Sequence, residues 1–280
     1  MAIWGLSWTA AKVLSGYGEA SSITYIRFLL VPLTLFPILK MAKIPVLVNK
    51  KGIPSLLLAG GLMGGYTILF FNGLRLGFAG AGGVLVAVSI PIFAYLVDLL
   101  INKKLPSKSA AIGLVLGGLG GFILLDIWDN YRNIFAAGNS LFLVAALVYA
   151  LLSKVISKSA KYGSPISFNF WLHMVALGGL LFIIDFDELK RLMIEGDLKF
   201  WLNMLYFGVI NSGIATTTYF FATTKLGAEK ASSFIFIVPS AAVFFSWLIM
   251  DEAIEHKTLI GGSIALLAVF IINGTLKIGK

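Results

Sequence analysis

The chain has 280 residues, 59% of them hydrophobic and 12% charged, with a net charge of +9 and no cysteine. A soluble domain carries roughly 25% charged residues, so this much apolar surface needs lipid as its solvent, and the chain reads as an integral membrane protein. Disulfides and thiolate metal sites are excluded, and two histidines, His173 and His256, are too few for an expected histidine metal site. No metal and no cofactor is expected.

The basic excess is spread over short loops, so membrane orientation explains it better than nucleic acid does. Met1 runs straight into "AIWGLSW" without a basic leader, and no cleavable signal peptide is expected.

A membrane span needs about 20 apolar residues to cross roughly 30 Å of hydrocarbon. Ten runs are candidates, at about 2–17, 22–40, 53–73, 81–101, 109–125, 135–153, 165–184, 200–220, 231–250 and 258–276. With the N-terminus inside, 14 of the 22 Lys and Arg fall in cytoplasmic loops and six in the opposite loops. The positive-inside rule then puts both termini in the cytoplasm of a multi-pass protein of the cell (inner) membrane.

Polar groups inside spans are costly in hydrocarbon and should face the bundle interior. Span 1 carries Trp4 and Lys12, and span 2 carries Arg27. The two cations could hold a substrate carboxylate, gate the outer mouth, or snorkel toward water and Glu19. Span 3 has the small-residue pairs Gly60/Gly64 and Gly61/Gly65, which suit close helix packing, and the cavity candidates Tyr66 and Asn72. Span 4 adds Ser89, Pro91 and, near its cytoplasmic end, Asp98. Asp98 could relay protons, pair with Lys103 or stay hydrated near the interface. Pro91, like Pro239 in span 9, removes a backbone hydrogen bond, so each is either a hinge or a structural kink.

Span 5 repeats glycine at Gly113, Gly117 and Gly121, again a packing pattern. Tyr149 in span 6 looks like the repeat equivalent of Trp4. His173, midway along span 7, is the second proton-coupling candidate, or a neutral side chain bonded to a neighbouring helix. Span 8 offers Asn211, Thr218 and Tyr219, which a regular helix returns to one face after seven or eight residues.

The second part of the chain echoes the first. "IPIFAYLVDLLINKKLPSKSAAIG" from Ile90 and "VPSAAVFFSWLIMDEAIEHKTLIG" from Val238 align at an offset of 148, bringing Pro91 to Pro239, Lys104 to Glu252, and Gly113 to Gly261. "FFNGLRLG" from Phe70 meets "FFATTKLG" from Phe220 at an offset of 150. The halves are residues 1–126 and 135–276, each of five spans. An odd number of crossings inverts the second copy, the arrangement of many secondary transporters. The loop after span 4 is basic and its counterpart after span 9 acidic, so Asp251 and Glu252 read as a marker of the outer face.

These landmarks resemble the drug/metabolite transporter superfamily in its EamA-type, ten-span form. Trp4-Gly5 followed by Lys12 and Arg27 is similar to the family's opening pattern, and Pro239, Glu252 and Gly261 to its closing one. Lys104 stands where the first half of the family has a glutamate, which weakens that position as chemical machinery. The resemblance implies an all-α bundle of two inverted five-helix repeats around a central cavity, and export of amino acids or other small metabolites. Alternating access would be its mechanism.

A multidrug carrier, a nucleotide-sugar or phosphorylated-metabolite carrier, and a non-transporting scaffold or sensor are the alternatives. No Cys-His, Ser-His-Asp or metal-ligand spacing points to an enzyme. The partners expected are a small-molecule substrate and the lipid bilayer, not nucleic acid, and a monomer suffices.

Overall fold

The computed structural model describes residues 1–76, 79–103, 105–124, 138–250 and 256–274. Among these residues there is no strand. In the first half, α1 is Ala2–Ser15, α2 Ala20–Met41, α3 Ile53–Leu76, α4 Ala79–Asn102 and α5 Lys108–Leu124. In the second, α6 is Asn139–Ser157, α7 Pro165–Leu180, α8 Phe186–Glu195 and α9 Leu198–Leu205. A π-helix, Tyr206–Ala215, joins α9 to α10, Thr216–Leu226. Then follow α11 Ala228–Ser233, a 3-10 turn Phe234–Ile237, α12 Val238–Met250 and α13 His256–Ile272.

Among the described residues four stretches, Ala20–Met41, Lys50–Leu76, Gly82–Asn102 and Asn139–Lys161, are long and apolar enough to cross a membrane, and Lys108–Ile123 and Leu259–Ile272 are shorter apolar helices. Leu58, Leu100, Val115, Phe182 and Leu248 are exposed on the outside of the bundle. That pattern suits lipid and would be costly in water.

Helix ends follow local chemistry. Ser164 caps α7 by accepting from the Ser167 N–H at 3.1 Å, with Pro165 in the first turn, where a proline loses nothing. Asp185 caps α8 by accepting from the N–H groups of Asp187 and Glu188. Asp197 caps α9 through the Phe200 N–H at 2.7 Å. Gly227, at φ +87°, ends α10, a conformation that L side chains resist.

The connection after α7 is therefore structured. Glu188 on α8 accepts from the Glu19 N–H and from Ser22 Oγ, covering the N-terminus of α2, where a carboxylate is favourable. Tyr17 donates to Asp197 at 2.8 Å, and these hydrogen bonds hold the α7–α9 connection against the α1–α2 turn.

Packing crosses between the halves. α3 lies on α6 and α7, and the π-helix-containing rod of the second half lies on α1 and α2. Likewise α4 lies on α6, and α12 on α1, while α2–α7, α4–α12 and α5–α13 pair each helix with its counterpart. Exchanging the two sets of helices leaves these pairings unchanged. The α5–α13 seam needs its glycines. A Cβ at Gly120 would sit 2.8 Å from the Gly261 carbonyl oxygen, and one at Gly113 would sit 2.4 Å from Ile272. Gly113 and Gly120 are thus packing residues, as close helix approach in lipid requires, and Gly261 meets the seam through its carbonyl.

Pro91 lies inside α4, but Pro239 does not interrupt a helix: it is the second residue of α12, after the 3-10 turn. The hinge or kink weighed there gives way to a helix start, which tolerates proline. Lys104, Asp251 and Glu252 lie outside the described residues, as do the junction residues 126 and 135 and the terminal residue 276 of the proposed halves.

Candidate functional site

A cavity opens where the two halves meet. From the first half, α1 contributes Trp4, Ser7 and Trp8, α2 contributes Arg27, α3 contributes Met63, Tyr66 and Phe70, and α4 contributes Val86, Ala87 and Ile90. Tyr149 of α6 faces them, with Phe207 and Asn211 from the π-helix, Thr216, Ile235 and Val238. Centres of water-sized molecules have about 50 Å³ available, room for roughly three to five waters at about 10–15 Å³ each. The site is narrow in this conformation.

Its walls are aromatic. Trp4 meets Tyr149 edge-on at 5.8 Å and Tyr219 at 5.0 Å, while Tyr66 lies 4.8 Å from Tyr149. Trp8 meets Phe70 at 4.8 Å. Trp8 and Phe70 were missed in the sequence. Each stands four residues after a candidate on its own helix, a spacing that shares one helix face.

One cation lines this box. Arg27 is 5% exposed, and its guanidinium lies 4.1 Å from the centre of the Phe207 ring. Its Nε donates to Ser212 Oγ at 2.7 Å, and Ser212 Oγ donates in turn to the Phe207 carbonyl at 2.8 Å. Among the described residues no carboxylate pairs with Arg27, and its terminal nitrogens make no hydrogen bond. Asn211 Oδ1 and the Tyr149 hydroxyl are also buried without partners.

Buried polar atoms normally find one, so an orphaned set around a cavity is the pattern of a binding site. The π-helix builds it. Asn169 on α7 donates to the Ser212 carbonyl at 3.2 Å and to Thr217 Oγ1 at 2.8 Å. These bonds brace a wide turn of a kind often found at functional sites.

The π-helix also explains a misplaced candidate. Hydrogen bonds closing over five residues shift the register, so Thr216, five after Asn211, lines the cavity. Thr218 is exposed and bonds back to Ile214. Tyr219 packs on the aromatic wall instead and shares a hydrogen bond with Ser153 at 2.9 Å.

Asn72 does not line the cavity: six residues beyond Tyr66, at 100° per residue, it faces another way. Ser89 is buried beside the Val86, Ala87 and Ile90 stripe without joining it. Lys12 is exposed and donates to the Leu74 carbonyl at 2.9 Å, near the end of α3, so the two cations of the opening pattern part company.

Neither proton-coupling candidate lines the cavity. His173 is buried, with Nδ1 2.9 Å from the Asn169 carbonyl of its own helix and its ring edge-on to Phe28. Its bond is thus intrahelical rather than to a neighbouring helix. Asp98 pairs with Lys154, not Lys103, and Lys154 also bonds Glu229 at 2.9 Å. This cluster ties α4, α6 and α11 together one residue beyond the Ser153–Tyr219 bond.

The sequence profile of the EamA-like transporter family matches residues 1–125 and again residues 136–274. A Bacillus subtilis protein named uncharacterized transporter YoaV is 27% identical, the alignment covering 96% of this chain and 92% of that protein. An uncharacterized transporter of Archaeoglobus fulgidus is 23% identical over 96% of this chain and 94% of its own length. A solved structure described only as "Crystal structure of protein" superposes with a TM-score of 0.74, at 18% identity, over 98% of this chain and 94% of that one. At that identity it bears on the fold alone.

Proposed function

Since the chain belongs to the EamA-like transporter family, an integral membrane family, we propose that it is a secondary transporter exporting small organic metabolites, amino acids among the candidates. In this reading the halves 1–126 and 135–276 are inverted repeats in the cell membrane, with both termini cytoplasmic, and they rearrange around the cavity by alternating access. The observation that carries it is the cavity itself. It lies between the halves, takes its lining from both, and presents one buried guanidinium with orphaned polar atoms inside an aromatic box.

Tyr219 links the cavity to the Lys154 cluster, which serves in this reading as a clasp. Opening toward that end separates α4, α6 and α11, so the ion pairs and the Ser153–Tyr219 bond must yield together. The aromatic walls also favour a second reading, a carrier of amphipathic organic compounds. Among the described residues a single cation lines the cavity, which weighs against phosphorylated substrates, whose double charge calls for more, and a cavity with unpartnered polar atoms weighs against a scaffold.

Purified protein in liposomes, loaded with a metabolite panel, provides the test. Counterflow of at least one labelled amino acid or organic acid, reduced by Trp4→Ala, supports the proposal. No flux of any compound on the panel refutes it.

A further inference from the structure

We propose that the cavity selects net monoanions, a carboxylate on a small apolar body, over zwitterions and neutral amides of the same shape, with Arg27 setting the sign. The inference rests on the reading of this cavity as the substrate site and narrows its substrate class. It follows from a charge count. Among the described residues the lining holds one cation, Arg27, and no Asp or Glu. An arginine stays protonated in proteins, and among the described residues this one has no carboxylate partner.

A buried charge without a counter-ion is unfavourable, so a ligand carboxylate supplies what the fold withholds. The guanidinium is also oriented to receive it. Ser212 gives its own proton to the Phe207 carbonyl and can therefore only accept from Arg27 Nε, while the Phe207 ring supports the guanidinium at 4.1 Å. This engages one edge of the fork and leaves both terminal nitrogens for a carboxylate, the bidentate geometry arginine favours.

An amino acid meets the same guanidinium but brings an ammonium as well. Among the described residues the lining offers that group no carboxylate, only aromatic faces and the neutral oxygens of Ser7, Tyr149, Asn211 and Thr216. Cation–π contact offsets only part of an ammonium's desolvation. The acid lacking the amine avoids that cost, and the amide lacking the charge forfeits the pairing.

The test uses the full chain, purified in detergent, with two matched triplets. These are 3-phenylpropionate, its amide and phenylalanine, and 3-methylbutanoate, its amide and valine. Binding is read by thermal shift and by tryptophan fluorescence, since Trp4 and Trp8 line the cavity.

Each acid should bind about ten- to hundredfold more tightly than its amide, the usual worth of a hydrogen bond to a charged group, and at least about tenfold more tightly than its amino acid. Arg27→Gln should abolish the preference and Arg27→Lys retain part of it. Amides or amino acids that bind as well as the acids overturn the inference and leave the cavity reading standing. So does an Arg27→Gln protein that still prefers acids. If Arg27→Gln does not fold, the wild-type triplets and Arg27→Lys still decide. If no compound binds or is carried, the cavity reading and the inference fall together.

Discussion

Two cations enclosed by this bundle have opposite surroundings. Lys154 sits between Asp98 and Glu229, with side-chain exposures of 11%, 15% and 20%. Arg27 sits among aromatic rings with, among the described residues, a serine for its one hydrogen-bond acceptor. The first arrangement satisfies its charge internally and locks three helices. The second leaves charge unsatisfied at a cavity. Such a cation contributes little to the fold and is available to a ligand, which is how a binding residue differs from a structural one.

Substitution at the two cations should separate these roles. Lys154→Met leaves two carboxylates without their ammonium and should cost about 3 kcal/mol, the low end for a pair that retains some exposure. A fall in melting temperature of the purified protein would register it, and adding Asp98→Asn with Glu229→Gln should restore part of the loss. Arg27→Gln removes a charge that had no ion-pair partner and should change stability by less than about 1 kcal/mol, in either direction. Equal melting-temperature losses at the two positions would break the contrast.

A smaller effect sharpens it. Ser212→Ala releases the Arg27 Nε without altering the charge, so anion affinity should fall about three- to tenfold, the worth of one hydrogen bond near 1 kcal/mol. Binding titrations beside an unchanged melting curve would show positioning rather than folding; a melting loss without a change in affinity would show the reverse.

The smallest effect concerns an exposed charge. The Phe200 N–H and then the Tyr17 hydroxyl hold the Asp197 carboxyl below its usual range. A lowered folded value means these Asp197 hydrogen bonds contribute fully above the ordinary carboxylate range and that contribution is lost as pH falls through the depressed value. Stability between about pH 4 and the depressed value should therefore decline less steeply in Asp197→Asn than in the wild type, as acid-side thermal melts can measure.

The contrast also marks where sequence reading stops. Apolar runs announced the helical rods because lipid tolerates little else. Trp4, Tyr66, Tyr149, Asn211 and Arg27 were reachable as costly groups within spans. Thr218 was misplaced because nothing in "YFGVINSGIA" announces a π turn, and regular periodicity put it on the wrong face.

Arg27 and Ser212 stand 185 residues apart, and Asp98 and Lys154 stand 56 apart. Only the fold brings such partners together, so sequence alone could not say which cation was paired. Helix α8 falls in the gap left between the spans 165–184 and 200–220, too short and too charged to register as an apolar run.

The account rests on one cavity that faces each side of the membrane in turn, and the absence of cysteine makes this directly measurable. A single cysteine at Asn211, on the cavity wall, would be treated with a membrane-impermeant maleimide in right-side-out and in inside-out vesicles. The account predicts labelling from both sides, with a bound substrate slowing it in each. Labelling from one side only, or from neither, would contradict it.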